Sequence, residues 1–346
     1  IFELNPRNNL SFHHFIEFGS LLGIIWSISV LLFLFAPQLN IKPSICPLVV
    51  ILLIVVYLFN PTRTCYHKAR FWLIKRLGKI FIAPFSGPVR FADFWIADQL
   101  VSIVPLFLDL EYLFCFYTTG DVLSNDHLTP YYANRCVTRN PQDLVIRTIV
   151  AALPAWFRCA QCLRRWRDEN WLRLHLENAG KYWCMVMVVV LSSISQYNKS
   201  SFELDTKRVV WMVAAIFTSA LTAYWDIIYD FGLFNKYDKN EDDDSKISRR
   251  RSSVSATSCF ELDDQIYNNS KKSKRKHYPF LRKELVYPVW VYYFAIVENI
   301  LLRFGWIITI SLTEFSGAEA GLVVSLLAPM EMFRRFVWNC IRLENE

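Results

Sequence analysis

Three arginines sit where arginine is expensive. Arg303 lies inside the apolar stretch YPVWVYYFAIVENILLRFGWIITISL, and Arg334 and Arg335 lie inside EAGLVVSLLAPMEMFRRFVWNCI. Each stretch is long enough to cross a bilayer core, which takes roughly 20 helical residues. A guanidinium at that depth costs about 3 kcal/mol on insertion scales, so three in one hairpin require partners inside the protein. Helical spacing agrees. Glu331, Arg334 and Arg335 share one face at i, i+3, i+4, and Asn299, Arg303 and Trp306 share a face of the preceding helix. The chemistry open to such a surface is capture of an anion. Guanidinium groups offer forked donors that match a tetrahedral oxyanion, and an ammonium adds a mobile point charge. Carboxylates beside them limit how tightly the ion is held, and conduction needs release as well as capture.

The elements that must position these groups are read from length and apolarity. Candidate spans cover 15–36, 45–60, 91–117, 144–163, 181–197, 208–230, 288–313 and 319–341, the third long enough to be tilted or broken. The segment 70–85 mixes Lys and Arg into apolar residues and is expected to lie in the cytosolic interface. Composition fits this picture: 53% of the 346 residues are hydrophobic and 20% charged, with a mean hydropathy of +0.23. That is too apolar for an ordinary soluble domain. The expected fold class is all-α, a polytopic membrane protein with about eight transmembrane helices, the last six forming a pore bundle. The net charge of +7 falls between the spans, so it speaks for topology and against nucleic acid as a partner. Lys and Arg crowd the loops 61–90, 164–180 and 231–287, whereas the alternate loops near 37–44, 118–143, 198–207 and 314–318 hold few. Both ends of the chain are therefore expected on the cytosolic side.

Charge is also unevenly placed within the spans. The first two carry almost none, and the third contains Asp93, Asp98, Asp109 and Glu111. Arg147 and Arg158 stand eleven residues apart in the fourth, about three turns, and so share a face. Pro154 between them is expected to bend that helix or open its hydrogen-bond ladder. Lys181 and Tyr182 begin the fifth span, Asp226 and Asp230 end the sixth at i, i+4, and Glu298 joins Arg303 in the seventh. Charges at span ends, among them Asp93, Asp230, Lys181 and Arg158, have two readings: they reach out to water, or they join an inward set. Arg147, Asp98 and Arg303 have less escape. Similar numbers of each sign allow a structural clamp or a conduit. The concentration on the last six spans favours six helices around a polar axis with two apolar helices outside. Trp306, one turn beyond Arg303, is either a constriction or a lipid contact.

Other segments add less. Residues 237–280 lack apolar content and read as a disordered cytosolic loop, in which RRRSS looks like a basophilic-kinase site and KKSKRK could touch anionic lipid. Asn198 heads a glycosylation sequon in an outside loop, and Asn268 heads one on the cytosolic side that should be silent. The nine cysteines form no zinc-ligand or disulfide framework, and Cys159 and Cys162 read as packing residues in an apolar helix. The chain opens at Ile1 with no signal-peptide pattern, which suggests a piece of a longer protein. A phosphate-ester enzyme would need a nucleophile and an acid–base pair beside the arginines. The six histidines lie in loops or near span ends, so neither catalytic residues nor a cofactor or metal is expected. A non-transporting receptor or scaffold is a further reading, but leaves the buried arginines unexplained.

Several motifs carry a family likeness. LRRWRDE, NAGKY, YWDIIYDFGLF, LRFGW and EMFRRFVWNCIRLENE occur in that order, with IFELNPRNNLS at the start and FADFWIADQL between. Together the chain resembles the EXS domain of eukaryotic SPX-EXS phosphate exporters, relatives of the xenotropic and polytropic retrovirus receptor. The resemblance implies export of inorganic phosphate from cytosol to outside, at the plasma membrane or, alternatively, phosphate recovery from the Golgi lumen. It implies a full protein of about ten membrane helices, of which residues 1–90 supply two peripheral helices and 91–346 the six-helix pore domain. A dimerising first helix, and an SPX domain that binds inositol pyrophosphates, would lie outside this chain. By motif position, the family's phosphate contacts fall on Arg147, Lys181, Tyr182, Arg303, Arg334 and Arg335. Its pore acids fall on Asp98, Asp226, Asp230 and Glu331, and its gating tryptophan on Trp306. Val101 and Phe231 depart from the family's usual Asn and Trp.

Overall fold

Proline placement decides where the apolar stretches break. The computed structural model describes residues 12–42, 44–64, 66–83, 85, 87–118, 141–197, 206–234, 280–282, 285–307 and 320–346. The 237–279 part of the polar loop and both sequons lie outside the described residues. Within them the elements are helices: α1 (Phe12–Phe35), α2 (Ile45–Phe59), α3 (His67–Phe81), α4 (Phe91–Ser102), α5 (Val104–Thr118), α6 (Pro141–Asp168), α7 (Arg173–Tyr197), α8 (Thr206–Trp225), α9 (Val289–Arg303) and α10 (Ala320–Asn345). A π-helical turn, Asp226–Asp230, follows α8 directly. The third expected span is indeed broken, since α4 and α5 meet at an angle of 66° around Ile103. Pro105 explains the break: it lacks an N–H, and its ring clashes with the carbonyl four residues earlier. Pro154, by contrast, is accommodated inside α6 and Pro329 inside α10.

This is an all-α membrane protein. Leu144–Asp168 and Thr206–Asp230 are each long and apolar enough to cross a bilayer, and the bent α4–α5 pair qualifies as a broken span. Along α1 and α2 large apolar side chains point outward, with Trp26 66% and Val56 65% exposed, and α2 buries no residue at all. Such a surface would drive aggregation in water but is satisfied by acyl chains.

The chain divides at Thr218 and Ser219 into two compact units. In the first, α6 and α7 form the most extensive helix pair, and α4 and α5 both pack on α6. Ile80, Ile96, Ala97, Leu100 and Phe157 make its core, with Trp72, Leu73 and Leu77 of α3 against it. The apolar face of α3 thus packs on protein, while its basic residues Arg76 and Lys79 hold Asp93 at 2.9 and 2.8 Å. Cys159 and Cys162 are buried against Ala179 and Tyr182 as packing residues.

Arg70 secures the start of α3 to the end of α2. Only 4% exposed, it donates to the carbonyls of Tyr57, Leu58, Asn60, Thr62 and Thr64. Several of these are carbonyls that a helix C-terminus leaves without an intrahelical donor. Arg70→Ala should destabilise the protein by about 3 kcal/mol, the scale of charged hydrogen bonds lost from buried acceptors. Thermal unfolding in detergent checks this, and Arg70→Lys should recover only part, because an ammonium cannot fork across the turn.

In the second unit, α9 packs on α10, and the π turn packs on α10 as well.

Candidate functional site

The π turn exists to place Asp226. Its Phe231 N–H reaches back five residues to the Asp226 carbonyl at 2.7 Å, and Gly232 then leaves the turn with φ +63°. Asn345, at the end of α10, donates to the carbonyls of Tyr229 and Asp230, each at 3.1 Å. The positive φ favours glycine there, and a Cβ would also push the Asn345 Oδ1 out of place. The widened turn leaves the Asp226 side chain buried and facing two arginines.

Arg303 Nη2 donates to Asp226 Oδ2 at 2.5 Å, and Arg334 Nη1 lies 3.6 Å from the same oxygen. Arg334 is 2% exposed. Its Nε and Nη2 donate to the two Glu331 oxygens at 2.8 and 2.5 Å, and its Nη1 donates to Asn299 Oδ1 at 3.0 Å. Arg303 closes α9, where Phe304 turns out of helical geometry at φ −99°, ψ 9°. A cation there also complements the negative end of the helix dipole. Three chain segments thus bring two guanidiniums and two carboxylates into one network. Beside it, Glu298 Oε1, Asn299 Nδ2 and Arg303 Nε are buried without a hydrogen-bond partner among the described residues.

Asp230 serves a second group. Trp338 Nε1 donates to its Oδ2 at 3.3 Å, Arg342 Nε is 3.7 Å from its Oδ1, and the Arg335 guanidinium stacks 4.6 Å from the Trp338 ring centroid. The Trp306 indole is held by Nε1 donating to Ser219 Oγ at 3.1 Å.

The first unit has its own cluster. Arg158 Nε and Tyr182 Oη both donate to Asp98 Oδ1, at 2.7 and 2.6 Å. Arg158 Nη1 continues to Gln161 Oε1 at 2.9 Å, and Gln161 Nε2 to the Asp93 carbonyl at 3.2 Å. The Arg158 guanidinium lies 4.8 Å from the Tyr182 ring centroid, with the Lys181 ammonium 4.4 Å from the same ring. Arg147 is a third exposed and sits 3.6 Å from Glu111 Oε2. The shared face of Arg147 and Arg158 therefore meets the broken pair, one arginine on α5 and the other on α4. At the turn after α6, Glu169 pairs with His175 Nε2 at 2.6 Å and accepts from Arg165. Partial burial raises its pKa, but these hydrogen bonds outweigh it and hold the carboxyl below the ordinary glutamate range.

Sequence position left several of these groups open. Lys181 lies eight residues past the start of α7, and both its side chain and that of Tyr182 are buried. Arg158 and Asp93 do not reach out to water, being 4% and 2% exposed. Sequence reasoning left Arg158 out of the site, although its spacing from Arg147 marked the face. It also passed over Gln161 as a polar residue on an apolar helix. Cys115, near the end of α5, is disulfide-bonded, so the cysteines are not all free as expected.

Comparison with known proteins agrees with these motifs. The model of the EXS family matches residues 1–346. "Solute carrier family 53 member 1" of Homo sapiens is 39% identical over 352 residues, covering 100% of this chain and 45% of the relative. The protein of that name from Mus terricolor is 39% identical over 358 residues, with the same coverage. "Xenotropic and polytropic retrovirus receptor 1 homolog" of Xenopus laevis is 38% identical over 352 residues, again covering 45% of the relative. The chain thus spans less than half the length of the curated relatives it matches.

Proposed function

This chain belongs to the EXS family, and from that premise we propose that it forms the membrane path of an inorganic phosphate exporter. Phosphate leaves the cytosol by successive contacts with Arg334, Arg335, Lys181, Arg147 and Arg303, aided by Tyr182. Asp98, Asp226, Asp230 and Glu331 keep those cations from holding the ion too long, and Trp306 limits passage. The supporting observation is Arg334: a guanidinium 2% exposed, between apolar helices, sharing Asp226 with Arg303. A stretch that served only to span lipid would not carry that cost. The names of the relatives as solute carriers support transport over enzymology.

The reading places both ends in the cytosol, at the plasma membrane, or at the Golgi membrane in a recycling role. In the whole protein it includes a homodimer and control by inositol pyrophosphate through an SPX domain. Cys115 bears on orientation, because disulfides persist on the extracytosolic side. In sealed vesicles of known orientation, a membrane-impermeant reductant should open that disulfide only from the side opposite the basic loops. Reduction from the basic-loop side would reverse the topology. Function is tested by reconstitution: vesicles loaded with inorganic phosphate should release it when they carry the purified protein, and protein-dependent release that is absent would reject the proposal.

A further inference from the structure

Glu298 is a buried carboxyl whose Oε1 has no hydrogen-bond partner among the described residues. It lies on α9 and is 8% exposed. The charged groups facing it are Arg303 on its own helix, Arg334 and Glu331 on α10, and Asp226 on the π turn. Each guanidinium is already committed: Arg303 to Asp226, and Arg334 to Glu331, Asp226 and Asn299. Arg335, next along α10, also faces Glu331, and its guanidinium stacks on Trp338. A buried ionised carboxylate without a donor carries a cost of several kcal/mol, which protonation removes.

The neighbouring atoms have the opposite shortage. Asn299, 1% exposed, gives its Oδ1 to Arg334, while its Nδ2 has no acceptor among the described residues; Arg303 Nε has none either. A protonated Glu298 adds an O–H to these two N–H groups. Three donors carried by neighbouring residues of α9 match the acceptor oxygens of a tetrahedral oxyanion.

We propose that Glu298 and Asn299 form a phosphate subsite in which Glu298 is the proton-binding group, so that anion and proton occupy the site together. One proton is taken from water when the anion binds and returned to water when it leaves, the carboxyl passing between COO⁻ and COOH. An ionised Glu298 repels the anion; a neutral one donates to it. This rests on the phosphate-transport reading above.

The test is phosphate release from phosphatidylcholine vesicles containing the purified protein, followed from mildly acid to mildly alkaline pH. Comparing variants at each pH cancels the titration of phosphate itself. Glu298→Gln, neutral at every pH, should flatten the profile, and the ratio of wild-type flux to that of the Glu298→Gln variant should fall about tenfold per pH unit on the alkaline limb. Glu298→Asp should keep the pH dependence. Infrared difference spectra of the wild type upon adding inorganic phosphate should show a new carboxylic-acid C=O band that Glu298→Gln removes. This readout does not depend on the variant's flux. Parallel pH profiles, or no carboxylic-acid band in the wild type, overturn the Glu298 proposal and leave the transport reading standing. No release from wild type at any pH overturns both.

Discussion

Arg334→Ala should reduce phosphate release from loaded vesicles by about a hundredfold or more, the rate equivalent of losing about 3 kcal/mol of charge-assisted hydrogen bonding to the passing anion. The reason lies in what the substitution strands. Glu331 loses both Arg334 donors to its carboxylate, Asn299 loses the donor to its Oδ1, and Asp226 keeps Arg303 but loses its second guanidinium. Three acids, counting Glu298, then remain with Arg303 bound to Asp226 and Arg335 stacked on Trp338, and an oxyanion meets less positive charge. Arg334→Lys retains the charge but not the fork, so it should recover little flux while restoring much of the stability. Elution at the native size and an unchanged melting temperature for the Lys variant separate lost transport from lost fold. Full flux in well-folded Arg334→Ala would remove Arg334 from the path.

The second large effect is expected at Asp98, where clamp and conduit can be told apart. Arg158→Gln leaves Asp98 buried, with the Tyr182 hydroxyl still donating but its guanidinium gone, and should destabilise by about 3–5 kcal/mol, the scale of a broken buried pair. Adding Asp98→Asn removes the buried negative charge, and the double variant should regain most of that stability. A double-mutant cycle on melting curves measures the coupling. Flux then decides the role. A mere clamp predicts that transport returns with stability. The proposed conduit predicts transport at least about tenfold low, because Asp98 also orders Tyr182 and, through its ring, Lys181, the two groups proposed to contact phosphate.

How much of this was legible in the sequence follows from what each signal depends on. Apolar length located the helices and basic loops suggested their orientation, because both are local properties of the chain. The i, i+3, i+4 spacing put Glu331, Arg334 and Arg335 on one face, and in the structure the first two bond, since one helix holds them both. The contacts between segments were harder. Nothing in the spacing of Asp226 said that it would be shared by Arg303 and Arg334, because a π turn sets its direction and Asn345, more than a hundred residues away, holds that turn. Asp98 and Arg158 looked like independent charges until α4 and α6 were packed together. The start of α7 was harder to read for a simpler reason: apolar length does not mark a helical turn rich in polar residues such as His175 and Glu177, so the helix begins before the apolar stretch does. The break at Ile103 was open to inspection in Pro105 but was weighed only as length.

The account stands on the Arg303–Arg334 network being a place where an oxyanion stops. The direct measurement is anomalous scattering from arsenate, a heavier analogue of phosphate, bound to the protein in crystals. We predict a peak within hydrogen-bond distance of Arg334, Arg303 and Asn299, with the contacts to Asp226 loosened around it. Arsenate confined to the headgroup-level basic loops, with both arginines still closed on Asp226 and Glu331, would contradict the account and leave the network a structural clamp.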